Sequence, residues 1–379
     1  MKLDQPTLSF DGAISTRVVF GRDSITQVGR LARDLRAMNV LLVTDAGVVR
    51  AGHAARVRAI LEKEGLLVTT YADVAENPTT QAVERCVEVA RKGGVDLLIG
   101  LGGGSSMDVA KGCNFLLTNG GRMEDYWGYG KATKPMLPLI AIPTTAGTGS
   151  ECQAYALIAH ETSHRKMACG DPKAAARVAI LDPVLTLTQP RTVAAATGID
   201  ALAHAVETAV TKKRTPLSAR LSREAYRLGI EHLPVVLQQP EDLDARAAMQ
   251  LSAAYAGAAI ENSMLGAAHS AANPLTARFN LVHGRAVGLM LPHIVRFNAQ
   301  DAAVAAHYAE IEPGGADVIC ARLDEVLRIA GLPRTLREAG IPADALPSLA
   351  EAAVQEWTAR FNPRDVVAAD FIRLYEAAY

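Results

Sequence analysis

The first half of this 379-residue chain alternates short apolar runs with helical patterns, and that alternation admits few folds. Arg17–Phe20, Val40–Thr44, Leu67–Tyr71, Val95–Gly100 and Leu139–Ile142 read as strands, with Gly52–Lys63, Gln81–Lys92 and Met107–Leu117 as helices between them. Apolar strands separated by helices build a parallel sheet that is covered on both faces. From about Asp182 the pattern turns to long helical stretches broken by Pro190, Pro216, Pro234, Pro274, Pro292 and Pro333. The expected fold class is α/β, with a Rossmann-like parallel-sheet dinucleotide-binding domain over residues 1–182 and an all-helical domain over 183–379. There is no internal repeat and no low-complexity linker, so a tight junction with a cleft is expected near Asp182-Pro183.

Thirty-nine basic residues against forty acidic ones leave a formal charge of −1, with the two signs interleaved along the chain. Neither a nucleic acid nor an anionic membrane is the expected partner. Cys86, Cys113, Cys152, Cys169 and Cys320 form no C-x-x-C pair, which points to a reducing cytoplasm rather than a disulfide framework or zinc knuckle. Met1–Phe10 carries Lys2 and Asp4 with no apolar run behind them, unlike a signal peptide. The charge-poor stretch Ala247–Ala277 holds too many small and polar residues for a membrane span and reads as buried helix lining a site.

Val95–Gly112 is an apolar strand, a glycine cluster at Gly102, Gly103 and Gly104, and then a helix. Such a turn presents free backbone N–H groups and the positive end of a helix where a diphosphate can sit. It is neither a complete G-x-G-x-x-G nor a G-K-[ST] loop, and alone it reads equally well as a plain strand-to-helix turn. Ile142–Glu151 leaves a second strand end and offers Thr144, Thr145, Thr148 and Ser150, with glycines that permit close backbone approach. In open α/β sheets ligands bind outside the carboxyl ends of the strands, where both loops belong. A third strand end carries Asp45, placed either to accept from a ribose 2′-hydroxyl or simply to cap a helix.

Asp200 and His204 stand at i and i+4, so on a helix both project from one face as metal ligands do. Glu207 extends that face and is expected to orient His204 through its other ring nitrogen. The competing reading makes Thr197-x-x-Asp200 a capping box. His269 and His283 follow in the charge-poor region, each readable as a core histidine or a ligand. His160 and His164, also at i and i+4, lie in a charged turn-like segment and read as solvated surface.

Taken together, these motifs resemble the iron-containing (group III) alcohol dehydrogenase family. Gly102–Lys111 is similar to the family's diphosphate loop and Pro143–Glu151 to its second cofactor loop, while Leu181–Pro183, Ala196–Glu207 and Leu291–Asn298 match in the same order. The resemblance implies that Asp200, His204, His269 and His283 ligate one divalent ion, Fe2+ first and Zn2+ as another occupant. It implies cofactor contacts at Asp45, Gly102, Gly103, Gly104, Ser105, Ser106, Asp108, Lys111, Thr144, Thr145, Thr148, Ser150 and Leu181, with Asp45 associated with NAD rather than NADP. It also implies a homodimer or larger homo-oligomer. The expected activity is NAD(H)-dependent interconversion of a small alcohol and its aldehyde or ketone, with the helical domain binding metal and substrate.

The chain departs from the family at Asn273, where many members carry a histidine proposed to relay the substrate proton. An amide does not titrate there, but it can hold a second polar group of the substrate. The plainer reading is that Asn273-Pro274 ends a helix. The substrate pocket is expected along Ala253–His269 and near Trp127 and Tyr155. Two rivals share the fold. One is a non-redox metal/NAD enzyme of the dehydroquinate-synthase type, which needs basic residues for a substrate phosphate, and beyond Lys111 and Lys166 the recognisable loops supply few; the other is an idle metal and nucleotide sensor.

Overall fold

A computed structural model describes residues 14–162 and 165–379, so the Met1–Phe10 reading and His164 lie outside the described residues. Nine strands are present among them: β1 (Arg17–Phe20), β2 (Asn39–Val43), β3 (Leu67–Tyr71), β4 (Leu97–Gly102), β5 (Gly128–Tyr129), β6 (Leu139–Pro143), β7 (Tyr155–Ala159), β8 (Lys166–Gly170) and β9 (Val178–Leu181). Six of them form an all-parallel sheet in the order β1-β9-β6-β4-β2-β3. Helices α1 (Val28–Asp34), α2 (Ala46–Arg50), α3 (His53–Lys63), α4 (Thr80–Gly93) and α5 (Gly104–Asn119) follow or connect these strands.

Every side chain of β4 and β6 is buried, as a sheet covered on both faces requires. Ile25, Leu31, Val57 and Leu61 close one face. Val83, Cys86, Met107 and Cys113 from α4 and α5 close the other. The chain thus leaves neighbouring strands β2 and β4 toward opposite faces, which opens a crevice at their carboxyl ends.

β9 is a four-residue strand that no sequence pattern marks, although it pairs with both β1 and β6. The second sheet, in the order β5-β8-β7, is equally unmarked: its β7–β8 hairpin passes through the charged turn at His160, whose ring lies 3.4 Å from Glu124. Neither segment carries a strong alternating pattern, and pairing partners supply what the local sequence lacks.

Past β9 the regular elements are all helical: α6 (Arg191–Thr208), α7 (Pro216–Gln238), α8 (Leu243–Glu261), α9 (Ala267–Phe279), α10 (His283–Asn298), α11 (Ala302–Ile311), α12 (Gly315–Ala330), α13 (Leu346–Val354) and α14 (Ala368–Ala377), with short 3-10 turns between some of them. Three of the expected breaks are not breaks, because Pro234, Pro274 and Pro292 sit inside α7, α9 and α10. Each removes one backbone hydrogen bond, and burial of the flanking helix faces outweighs that loss. The Ala247–Ala277 stretch is likewise two helices rather than one, separated at residues 262–266. No helix among the described residues is long and apolar enough to cross a membrane.

The helical half packs backbone to backbone where α10 meets α6. A Cβ on Gly284 would lie 1.9 Å from the Ala196 carbonyl oxygen, so α10 starts in direct contact with the helix that carries Asp200 and His204. Gly284→Ala is expected to destabilise the protein by about 1–3 kcal/mol or more, because backbone cannot yield as a side-chain end can. Thermal unfolding checks this, and an unchanged midpoint would show that the two helices are free to separate.

Candidate active site

Because the sheet is parallel, the loops after β2, β4 and β6 emerge side by side at its carboxyl edge. The Thr144 N–H donates to the Gly102 carbonyl at 2.9 Å, tying the second loop to the first. Gly102 has φ +146°, and a Cβ there would stand 2.5 Å from Ser106 Oγ and 3.0 Å from Asp45 Oδ2. The first loop is therefore a cradle only glycine permits. Thr44 Oγ1, Ser106 Oγ and Thr145 Oγ1 are buried hydroxyls without a hydrogen-bond partner, one at each of the three strand ends. Asp45 caps α2 by accepting from the Gly47 and Val48 N–H groups, so the capping role is present together with its place beside Gly102.

A cleft of about 360 Å³ runs from these loops to α6 and α9. Gly103, Gly104, Ser105, Asp108, Thr145, Thr148 and Ser150 line it. Gly102, Ser106 and Thr144 lie immediately behind that lining, and Leu181 is fully buried in β9, away from it.

Lys111 also departs from its expected place. Its ammonium is fully buried and donates to Ser150 O, Ser150 Oγ and Tyr155 O at 2.6, 2.9 and 2.9 Å. It fastens the second loop from below rather than reaching a ligand, and burial lowers its pKa against the pull of Asp108. Burial pushes the Asp108 carboxyl up to about 6, opposed by Lys111, while Ser150 Oγ donates to it at 3.1 Å.

At the other end of the cleft, α6 presents Asp200 and His204, α9 presents His269, and α10 begins with His283. The Nε2 atoms of His204, His269 and His283 lie 3.5, 3.4 and 3.8 Å from Asp200 Oδ1. Donors about 2.1 Å from a tetrahedral ion stand about 3.4 Å apart, so this spacing is that of a coordination shell. Ligand atoms of Asp200, His269 and His283 all fall within 4.8 Å of one another, and His204 joins them through Asp200. Asp200 Oδ1 and His269 Nε2 are buried with no hydrogen-bond partner, as atoms facing a cation must be. The residues therefore fit a divalent ion.

Thr197 is mid-helix and its hydroxyl donates to Val193 O, so the capping-box reading of Thr197-x-x-Asp200 fails; α6 starts six residues earlier, after Pro190. The electrostatics favour ligation. Burial opposes the charge on Asp200, but the surrounding imidazoles, His204 foremost, hold its carboxyl well below the usual range. Burial lowers His204 and pushes His283 down to about 3, leaving both rings neutral at pH 7.

Glu207 orients a histidine, but not the one expected. Its Oε2 accepts from His269 Nδ1 at 2.5 Å and its Oε1 from the Ala268 N–H at 2.7 Å. Burial disfavours the imidazolium at His269, yet the Glu207 and Asp200 carboxylates together outweigh it and carry the ring up to about 9. His204 instead directs Nδ1 to the Gly147 carbonyl at 3.3 Å, so the loop after β6 orients this imidazole.

Asn273 does not end a helix, since α9 continues to Phe279 and is capped by Asn280 in the left-handed region. Its Nδ2 donates to Glu356 Oε2 at 2.9 Å. Tyr155 and the end of α8 line the cleft as expected, whereas Trp127 borders a separate cavity with Tyr129 and Glu261. Asn77, Gln153, Lys166 and Arg285 also line the cleft, from loops, the start of β8 and the first turn of α10, where no local pattern marks them as facing it.

A parallel sheet with a glycine cradle at its edge, facing a carboxylate and three imidazoles on helices, defines a metal- and dinucleotide-dependent enzyme. The family profile for iron-containing alcohol dehydrogenase matches residues 15–183, and the C-terminal profile of the same family matches 194–379. The chain is 32% identical over 370 residues to the NAD-dependent methanol dehydrogenase of Bacillus methanolicus, covering 95% of this chain and 97% of that one. It is 36% identical over 352 residues to the 4-hydroxybutyrate dehydrogenase of Cupriavidus necator, covering 89% and 91%. The alcohol dehydrogenase structure from Oenococcus oeni superposes with a TM-score of 0.94 at 29% identity, covering 98% of this chain and all of that one. The protein belongs to the iron-containing alcohol dehydrogenase family and is an NAD(H)-dependent oxidoreductase of alcohols and aldehydes. Both the synthase-type and the idle-sensor readings give way to it.

Proposed function

We propose that Asp200, His204, His269 and His283 hold one divalent ion and that the three strand-end loops hold NAD, so that a small alcohol and its aldehyde or ketone are interconverted between them. The observation that carries this reading is the set of three Nε2 atoms 3.4–3.8 Å from one carboxylate oxygen, in the same cleft as the glycine cradle. When bound, the ion supplies a Lewis acid that favours a deprotonated hydroxyl, and NAD supplies the hydride acceptor.

The chain's own part is positioning. Gly102–Ser106 and Thr144–Thr148 hold the diphosphate and riboses, and the bonds from Lys111 to Ser150 and from His204 to Gly147 lock the second loop against both domains. Asn273 has no titratable proton, so the substrate proton leaves by water or a ribose hydroxyl. A mixed nitrogen and oxygen ligand set discriminates poorly among divalent ions, so Fe2+ is the proposed occupant with Zn2+ also accepted. NADH formation with a panel of alcohols, after metal reconstitution, tests the reading; no turnover with any alcohol or aldehyde overturns it.

Asp45 gives the preference for NAD, since a 2′-phosphate beside its carboxylate is repelled. Asp45→Gly is expected to shift the NADP/NAD ratio of kcat/KM by at least about tenfold. A glycine cap costs only a few tenths of a kcal/mol, about what the scatter of unfolding data hides, so stability is expected to hold. A wild-type enzyme indifferent between the two cofactors removes Asp45 from the cofactor site. The five cysteines are all free and buried, which supports a cytoplasmic setting. Edge strand β1 exposes Val18 and Phe20, a surface suited to a second copy, and we place the enzyme as a homodimer or larger.

A further inference from the structure

Helix α9 carries His269 as its third residue and has no cap of its own. The first N–H groups of a helix lack intrahelical partners, and Gly266, the residue before α9, has no side chain to accept from them. Two residues distant in the chain accept instead: Glu207 Oε1 from the Ala268 N–H at 2.7 Å, and Asn362 Oδ1 from the Ala267 N–H at 3.2 Å. A Cβ on Gly266 would stand 3.0 Å from Asn362 Oδ1 and 3.1 Å from Glu207 Oε1, so a bare backbone makes room for both.

Asn362 is itself held firmly. It is 1% exposed, and its amide pairs with that of Asn298: Asn362 Nδ2 donates to Asn298 Oδ1 at 2.8 Å, and Asn298 Nδ2 donates to Asn362 Oδ1 at 3.0 Å. Asn362 Nδ2 also donates to the Arg364 carbonyl at 2.8 Å. Both of its amide hydrogens and both oxygen lone pairs are therefore used. A buried polar network satisfied in this way is rigid. Asn298 is the last residue of α10, and the first residue of α10 is His283.

The contact continues along α9. Asn273 Nδ2 donates to Glu356 Oε2 at 2.9 Å, and the hydroxyls of Ser270 and Thr358 lie 2.6 Å apart. Glu356, Thr358 and Asn362 thus meet Asn273, Ser270 and Ala267 in reverse order, and those three stand three apart along one face of the helix. The stretch between α13 and α14 is a polar strap laid antiparallel on the helix that bears His269.

We propose that this strap positions the metal site, with Asn362 as its anchor: the Asn298–Asn362 amide pair sets where α9 begins, and so where His269 stands relative to Asp200 and His283. This rests on the metal reading above and names the residues that hold its geometry. Ligand distances are tolerated within only about 0.2 Å, and His269 is two residues from the N–H that Asn362 holds, so a slip at the start of α9 carries the imidazole with it. Asn362 is a positioning residue, acting through α9.

The test is a titration of metal-free enzyme with Co2+, followed by the visible absorption of the bound ion, which reports coordination geometry. Wild type is expected to take up one equivalent. Asn362→Ala removes all four hydrogen bonds of the anchor and is expected to raise the Co2+ dissociation constant about tenfold or more, with a changed absorption band. Asn298→Ala leaves the bond from Ala267 in place but frees Asn362, and is expected to raise it at least about threefold, so it decides the matter if Asn362→Ala does not fold. Leu61→Ala, a cavity in the sheet domain, controls for lost stability alone and is expected to bind Co2+ as wild type does. Wild-type affinity and an unchanged band in the folded asparagine variants, whatever their unfolding temperature, overturn the proposal and leave the metal reading intact. An equal loss of affinity in Leu61→Ala overturns it as well. Wild type that takes up no Co2+ overturns the metal reading together with it.

Discussion

His269→Ala is expected to lose its ion and, with it, alcohol oxidation by a factor on the order of a thousand or more, because substrate polarisation depends on that charge. The four side chains arrive from α6, α9 and α10, and His269 packs between the other two imidazoles: its ring centroid is 4.8 Å from that of His204 and 5.4 Å from that of His283. Removing it opens the shell at its middle. It also strands the Glu207 carboxylate, which is buried and has His269 as a partner, so part of the effect will be on folding. Asp200→Asn separates the two contributions. It keeps the volume, removes the charge on which three Nε2 atoms converge, and is expected to lose metal without an equal loss of thermal stability. Metal content measured on purified protein, beside turnover after reconstitution, decides the matter. Full occupancy with normal activity in either variant would falsify the ligand assignment.

Glu207→Gln is expected to weaken metal binding by about ten- to a hundredfold, the usual consequence of losing the acceptor behind a ligating histidine. One glutamine oxygen can still accept from the Ala268 N–H, but the amide nitrogen then faces His269 Nδ1, which is itself a donor when Nε2 binds the ion. His269 must either rotate or move its proton to Nε2, and both remove the lone pair that the ion needs. A metal titration followed by activity is the measurement. Activity that returns at high metal concentration shows that Glu207 acts through His269. An unchanged dissociation constant with a lower unfolding temperature would show that the residue only anchors the start of α9.

Much of the site was legible because its chemistry is local. Asp200 and His204 share a helix face by spacing alone, and the Gly102–Gly104 cluster follows an apolar strand directly. The short strands were harder. Val178–Leu181 has no alternation and no length, and it becomes a strand because β1 and β6 flank it. Pro274 reads as a helix stop, yet α9 runs through it because Ala267, Ala268, Ala271, Ala272 and Leu275 are buried against the helical core. Lys111 reads as a phosphate ligand in its motif. Whether its ammonium points out to the cleft or down to Ser150 depends on a loop 39 positions away in the chain.

The α/β order of the first half, the helical second half, the two loops at strand ends and the identity of the residues able to bind a metal are all written in the order of the amino acids. They come from period, glycine placement and side-chain chemistry, which are properties of neighbouring residues. Which of those groups meet is set by packing. Glu207 lies three positions beyond His204 yet serves His269, because the start of α9 abuts that face of α6. His204 turns to Gly147, and Lys166 comes to border the His269 and His283 rings from the central strand of another sheet. Hydrogen bonds and ligand contacts act over about 3 Å, so their partners depend on how elements far apart in the chain are laid together, which no local pattern encodes.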